Sequence, residues 1–128
     1  NSMNVIIDTH IFLWLLNDPL KVKNNYLDIL KNTNNDIFLS SINIAELMIK
    51  ASIGKLKIDF DIENIAQEMG LVMLPFDARD AIQLGKLPLH HKDPFDRMLI
   101  TQAISKEYYL MSDDSKFNLY RDTRLKLL

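Results

Sequence analysis

Short runs of apolar residues alternate along this chain with longer segments in which apolar residues recur at helical spacing. The short runs predict strands at residues 5–7, 37–39, 71–74, 108–111 and 124–128. The longer segments predict helices at residues 9–16, 22–30, 42–53 and 61–69, at 77–85, from 94 onward, and as a turn ending at 120. This alternation predicts one α/β domain, with a mostly parallel sheet of about five strands and helices on both faces.

The helix that begins at Pro94 carries a carboxylate on its apolar face. Asp93 is placed to cap this helix, and proline fits the first helical position. At 100° per residue, Asp96 shares a face with Leu99, Ile100, Ala103 and Ile104, whereas Met98, Thr101, Gln102 and Ser105 are predicted to face outward. A carboxylate aimed at apolar neighbours costs several kcal/mol unless something pairs it. We therefore expect Asp96 to have a partner.

Further acids occur where predicted strands end and helices begin. Asp8 directly follows the first strand, and Asp113 and Asp114 follow the strand at 108–111. Glu46 shares the predicted inner face of the helix at 42–53 with Ile42, Ile49 and Ile53. Because ligands of parallel sheets bind outside the carboxyl ends of the strands, we expect four acids to converge there.

A cluster of four carboxylates needs an electrostatic partner. Two carboxylates 4 Å apart repel by about 4 kcal/mol at an effective dielectric constant of 20. Either some acids are protonated, or a divalent cation is present. The chain has no cysteine, so any metal is held by oxygen or imidazole, and an all-oxygen set favours Mg²⁺ or Mn²⁺.

Composition and charge set further bounds. The 128 residues are 48% hydrophobic and 25% charged, as in ordinary globular domains, and the net charge is −2. This balance argues against a broadly basic nucleic-acid binder, so a polyanion would need local cations or a metal. The start of the chain has no apolar run long enough to export or span, which predicts a cytoplasmic protein without membrane contact. Asn1 and Ser2 before Met3 look like a cloning remnant, leaving a domain over residues 3–128.

Four stretches resemble the acidic motifs of the PIN-domain ribonucleases, in particular the VapC-type toxins of bacterial toxin–antitoxin pairs. They are residues 6–9 (IIDT), 44–46 (IAE), 96–103 (DRMLITQA) and 110–114 (LMSDD). The resemblance covers nearly the whole chain. It implies a sheet in the order 3-2-1-4-5, a Mg²⁺- or Mn²⁺-dependent endoribonuclease that acts on RNA through a metal-activated water, and neutralisation by a cognate antitoxin.

The resemblance also implies roles for individual residues. Asp8, Asp96 and Asp114 would hold the metal, with Glu46 as a further ligand or as the base that positions water. Asp113 is an alternative to Asp114 as the fourth acid. Asp114 is favoured because the family pattern has Ser or Thr two residues earlier and Phe three residues later, as here. Residues expected to support the acids or to contact substrate are Asp93, Lys50, Ser112, Asp113 and Arg97, with Lys92 and Lys116 as further phosphate contacts.

Partners are also implied by the resemblance. It predicts a homodimer and an antitoxin segment that lies across an apolar groove. The residues expected to line this groove are Ile11, Trp14, Leu15, Val22 and Tyr26. Trp14 is interpreted as core or interface and not as a platform for base stacking.

Other interpretations are open at this stage. Glu46 and Lys50 have the spacing of an ordinary i, i+4 ion pair, and Asp93 that of an ordinary cap. His90 and His91, in a proline-containing loop, are expected to be solvated. The whole chain could be a non-catalytic PIN-like module that binds protein or RNA. A phosphotransferase with Asp8 as nucleophile fits less well, because the second Asp wanted two residues later is replaced by His10.

Overall fold

Five strands form one parallel sheet in the order 3-2-1-4-5. The structure, a computed structural model, describes residues 2–128. The strands are β1 (Asn4–Ile7), β2 (Asp36–Ser40), β3 (Val72–Leu74), β4 (Tyr109–Met111) and β5 (Lys126–Leu127). In the centre of the sheet, Ile6 of β1 lies opposite Phe38 of β2 and Leu110 of β4. All neighbouring strands are parallel, so the predicted fold class and strand order are confirmed.

The central strand β1 separates two hydrophobic cores. Val5, Ile6 and Ile7 are all fully buried. Since side chains alternate along a strand, Val5 and Ile7 belong to one core and Ile6 to the other. Each such side chain contributes about 1.5–3 kcal/mol of burial free energy, which anchors the end of β1 where Asp8 follows.

Helices cover both faces of the sheet, as predicted. They are α1 (Thr9–Asn17), α2 (Asn24–Lys31), α3 (Ser41–Ser52), α4 (Ile62–Glu68), α5 (Ala78–Ile82) and α6 (Pro94–Lys106). The first core receives side chains from α1, α2 and α4, and the second from α6 and the start of α3. Three short 3₁₀ turns lie at Pro19–Lys21, Gln83–Lys86 and Ser115–Tyr120. Within residues 2–128, no helix is both long enough and apolar enough to cross a membrane.

Most predicted elements are confirmed to within a few residues, and two differ in extent. The helix predicted from residue 77 ends at Ile82 and continues as a 3₁₀ turn through Gly85. The last strand contains only two residues. Asp93 and Asp77 cap α6 and α5 as predicted, because each side chain accepts hydrogen bonds from backbone amides of the first helical turn.

The outward face predicted for α6 is wrong at Thr101 and Gln102, which are both fully buried. The helix packs against α3 and against α5 with its following turn, so more than one of its faces is covered. The Thr101 hydroxyl donates to the Met98 carbonyl at 3.0 Å, and the Gln102 amide donates to the Pro75 carbonyl at 3.1 Å. These bonds allow two polar side chains inside the protein.

The inner face predicted for α3 is correct at Glu46 and wrong further along the helix. Ile49 and Ile53 are 49% and 61% exposed, whereas Asn43 and Leu47 are buried. Apolar residues occur on all sides of this helix, so apolarity alone does not select the buried face. Asn43 tolerates burial because its side chain completes the cap of α3 and donates to Thr9 Oγ1 at 3.1 Å.

Candidate active site

Four acids from separate parts of the chain line one pocket at the carboxyl end of the sheet. Asp8 follows β1, Glu46 lies on α3, Asp96 lies in the first turn of α6, and Asp114 follows β4. The pocket has a volume of about 180 Å³. Its lining consists of Asp8, Thr9, His10, Glu46, Lys50, His91, Asp93, Asp96, Asp114 and Lys116. The acids expected to converge therefore do so, while their chemical roles stay predictions.

Asp8 is the most deeply buried of these acids, with 4% of its surface exposed. One carboxylate oxygen accepts a hydrogen bond from the Ile11 amide at 2.8 Å, which caps α1. The other accepts a short hydrogen bond from the Ser112 hydroxyl. Burial raises the pKa of Asp8 from 3.8 to about 6, and the two hydrogen bonds offset only part of this effect. At neutral pH, Asp8 thus holds a charge that its surroundings disfavour.

Asp96 is paired with His91, whose Nε2 lies 2.7 Å from Asp96 Oδ2. Burial raises the pKa of the Asp96 carboxyl, and the hydrogen bond from His91 opposes this shift. The expectation that His91 is solvated is wrong, since its side chain is only 13% exposed. Adjacent His90 is exposed, as expected. The one usable signal for His91 in the sequence is its position shortly before an acid that needs a partner.

The loop that carries His91 is held in place by the side chains of Tyr120 and Arg97. The buried Tyr120 hydroxyl accepts a hydrogen bond from the His91 amide at 2.9 Å. Arg97 donates to this hydroxyl at 3.1 Å and to the carbonyls of Leu87 and Pro88 at 3.3 and 2.9 Å. The Arg97 guanidinium is therefore bound to the loop and does not line the pocket, which agrees with its expected role of supporting the acids, while its contact with substrate stays a prediction.

Glu46 is held by a short polar chain along α3. The Thr9 hydroxyl donates to Glu46 Oε1 at 2.7 Å, and Lys50 Nζ lies 2.7 Å from Oε2. The i, i+4 ion pair expected between Glu46 and Lys50 is thus confirmed. Because Glu46 is 5% exposed and Lys50 reaches solvent, the pair joins the buried acid to the rim of the pocket.

Of the two acids after β4, Asp114 faces the pocket. Its amide donates to the Ser112 hydroxyl at 3.0 Å, so Ser112 connects Asp114 with Asp8. Asp113 instead forms an ion pair with Lys23 at 3.1 Å and does not line the acidic pocket. This placement agrees with the preference for Asp114 as the fourth acid.

The acids suit a divalent cation by chemistry more than by their present arrangement. Within residues 2–128, no three His, Asp or Glu side chains stand close enough together to hold a metal ion. In the structure, the carboxylates of Asp8, Glu46 and Asp96 are hydrogen-bonded to Ser112, Lys50 and His91. Carboxylate oxygens are nevertheless the ligands of Mg²⁺ and Mn²⁺, and burial raises the pKa of Asp8 and of Asp96 more than their hydrogen-bond partners lower it. The residues therefore fit such an ion once these side chains reorient.

Several residues at the pocket were not singled out from the sequence or were misplaced. Thr9 and His10 line it, and their only signal is that they directly follow Asp8 at the end of a strand. Lys116 lines it as expected for a phosphate contact, whereas Lys92 lies outside.

The predicted antitoxin groove is not formed by its five residues. Ile11, Val22 and Tyr26 are at most 2% exposed and belong to the first core. Only Trp14 and Leu15 retain partial exposure. The apolar character of α1 on all sides is explained largely by packing inside the chain.

The parallel sheet and the acids at its carboxyl end define a class of domain that binds ligands at this edge. The family model of the PIN domain matches residues 5–122, and the chain therefore belongs to the PIN domain family. No curated protein matches the chain in sequence.

Solved structures with a similar fold come from VapBC proteins. VapBC2 from Rickettsia felis, bound to a DNA fragment from its promoter, is similar with a TM-score of 0.73 and 24% identity over 98% of both chains. VapBC-1 from nontypeable Haemophilus influenzae has a TM-score of 0.70 and 21% identity over 98% of this chain and 97% of that one. VapBC-5 from Mycobacterium tuberculosis, a member of the VapBC family of toxin–antitoxin systems, has a TM-score of 0.64 and 15% identity over 98% of this chain and 97% of that one. These likenesses support the fold.

Proposed function

We propose that this chain is a VapC-type toxin that hydrolyses RNA phosphodiesters with Mg²⁺ or Mn²⁺ and is neutralised by a cognate antitoxin. The observation that carries the proposal is the single pocket lined by Asp8, Glu46, Asp96 and Asp114. Membership of the PIN domain family supports a nuclease, and the fold shared with VapBC proteins supports a toxin with an antitoxin partner. The homodimer and the cytoplasmic location stay predictions from the sequence.

The chain's own residues have distinct tasks in this mechanism. Asp8, Asp96 and Asp114 would hold the cation, which when bound would polarise the scissile phosphate and lower the pKa of a water molecule. Glu46, fixed by Thr9 and Lys50, accepts a hydrogen bond from the water and orients it. Lys50 and Lys116 at the rim balance the phosphate charge. Attack by water breaks the bond to the 3′ oxygen and leaves 5′-phosphate ends.

An RNA cleavage assay with end analysis tests the proposal. Wild-type protein with Mg²⁺ or Mn²⁺ should cleave RNA to 5′-phosphate products, and EDTA should stop cleavage. Asp8→Asn keeps the shape of the side chain and removes its charge, so the rate should fall at least about 100-fold, the upper end of effects seen for outer partners of metal ligands. Asp28→Asn, an exposed acid on α2, is the matched control and should cleave like wild type.

Two results would contradict hydrolysis of RNA by a metal-activated water. One is equal cleavage in EDTA, and the other is 2′,3′-cyclic phosphate ends. Absence of both cleavage and Mn²⁺ binding would instead favour the non-catalytic binding module. The observation in favour of that second function is that Asp8, Glu46 and Asp96 already have partners within the protein.

A further inference from the structure

A second cavity adjoins the acidic pocket and has a different chemical character. Its volume is about 240 Å³. The lining consists of Asp8, His10, Trp14, Asp113 and Asp114. Three of these residues, Asp8, His10 and Asp114, also line the acidic pocket, so the two cavities are adjacent.

Two aromatic side chains of α1 form one wall of this second cavity. His10 and Trp14 are four residues apart and therefore lie on the same face of the helix. Their ring centroids are 6.3 Å apart, with the ring planes at 55°. His10 is exposed and Trp14 is half-buried, so both rings present surface to solvent beside the acids. From the sequence, Trp14 was interpreted as core or interface and not as a platform for base stacking.

We propose that the cavity at His10 and Trp14 is a subsite for one nucleobase of single-stranded RNA, next to the phosphate that is cleaved. The inference rests on the proposed function. Single-stranded RNA is recognised by bases that are splayed out and stacked on aromatic side chains. The volume is below the 300–1,000 Å³ typical of pockets for drug-sized ligands, about the scale of a single planar base.

The charges of the cavity favour a base over a phosphate. Asp113 and Asp114 would repel a phosphate but accept hydrogen bonds from the N–H groups of a base. Asp113 keeps this capacity although it pairs with Lys23, because a carboxylate has about four acceptor positions. The phosphate would lie on the other side of Asp8, toward Lys50 and Lys116. The two adjacent cavities thus separate base from phosphate.

Fluorescence provides a direct test because Trp14 is the only tryptophan in the chain. The Asp96→Asn protein, which should not cleave, is titrated with a short single-stranded RNA in the presence of Mg²⁺. Stacking of a base should quench Trp14 fluorescence saturably. The matched abasic oligomer, of equal length and charge, should bind more weakly and leave the fluorescence nearly unchanged.

Variants of the wall separate stacking from folding. In the Asp96→Asn background, His10→Ala removes an exposed ring and should weaken RNA binding about 5- to 150-fold, the range for loss of one stacked base. Trp14→Phe keeps an aromatic surface and should weaken binding less than Trp14→Ala. His90→Ala, an exposed histidine outside both cavities, is the matched control and should bind like its parent.

The outcomes distinguish this inference from the proposed function. Quenching that requires bases supports the subsite even if wild-type protein fails to cleave RNA. Cleavage by wild type, together with no quenching and unchanged binding in His10→Ala, overturns the subsite and leaves the nuclease intact.

Discussion

The chain buries acids in two places, and only one of them has a cation at its centre. In the cluster of Asp77, Asp80 and Lys106, which joins α5 to α6, Lys106 Nζ lies 2.8 Å from Asp77 Oδ2 and 3.4 Å from Asp80 Oδ1. The hydrogen bond from Lys106 holds the pKa of Asp77 near 2, and the same contact raises the pKa of Lys106. Both carboxylates of this cluster therefore have the Lys106 ammonium group within 4 Å.

The acidic pocket has the opposite balance. Asp8 relies on a hydroxyl and a backbone amide, and burial raises its pKa to about 6. Within residues 2–128, the only lysine or arginine that forms an ion pair with one of the four pocket acids is Lys50, which pairs with Glu46. Carboxylates whose negative charge is poorly compensated in the protein would be stabilised by a bound cation. Carboxylates that are paired with a lysine instead stabilise the fold itself.

The largest effect on stability is expected at Lys106. Lys106→Met keeps most of the packing but leaves fully buried Asp80 without its cation, so the free energy of unfolding should fall by about 3 kcal/mol. Chemical denaturation at neutral pH measures this change. Lys106→Arg keeps the charge and should recover most of the loss. Equal stability of wild type and Lys106→Met would mean that the cluster is not needed for the fold.

Asp8→Asn should change stability in the other direction. The folded-state pKa of Asp8 lies above its ordinary value, so the folded protein loses stability as pH rises from 3.8 to about 6. Asparagine escapes this loss, because its amide oxygen can accept from the Ile11 amide and its NH₂ group can donate to the Ser112 hydroxyl oxygen. In EDTA, the variant should be more stable than wild type by about 1–3 kcal/mol above pH 7, and the gap should close near pH 4. A gap that is absent at pH 7 would refute the imbalance at Asp8.

The smallest effect is expected at Asp77, which is largely exposed. The pKa of Asp77 in the folded protein is depressed from 3.8 to about 2. Ionised Asp77 therefore stabilises the protein at pH values above 3.8, and this contribution is lost as the pH falls toward 2. Asp77→Asn keeps a residue that caps helices well and removes only the charge. Thermal melts should show a small loss at pH 7 that vanishes in acid. A loss that grew in acid would have the wrong sign for this ion pair.

The strands were predictable to within a few residues because they are short apolar runs, whereas their order in the sheet came from the resemblance to the PIN-domain ribonucleases. Val5–Ile7 could only be a buried central strand, and the acids after β1 and β4 followed from that placement. The faces of helices were less predictable. Thr101 and Gln102 are buried because α6 is covered on several sides, and hydrophobic periodicity reports only one side. Which face is buried depends on tertiary packing that local sequence does not encode.

The acidic site was predictable as a set of residues but not as a network. Asp96 was identified because an inward acid needs a partner, yet the partner found, His91, had been expected in solvent. The loop that carries His91 is fixed by Arg97 and Tyr120, which are far apart in the sequence. Contacts of this kind arise from the tertiary fold and carry no local signal.

Calorimetric titration with Mn²⁺ at neutral pH tests most directly whether the acidic pocket is built to receive a cation. Wild-type protein should bind Mn²⁺ saturably, and Asp96→Asn should weaken binding at least about 10-fold. Loss of a residue that only hydrogen-bonds to a metal ligand typically lowers metal affinity by about 10- to 100-fold, so loss of a ligand itself should have at least this effect. Asp77→Asn removes the same charge from the cluster of Asp77, Asp80 and Lys106, and this variant should bind Mn²⁺ like wild type. Wild-type protein that binds no Mn²⁺, or binds it equally well with Asp96→Asn, would contradict the account.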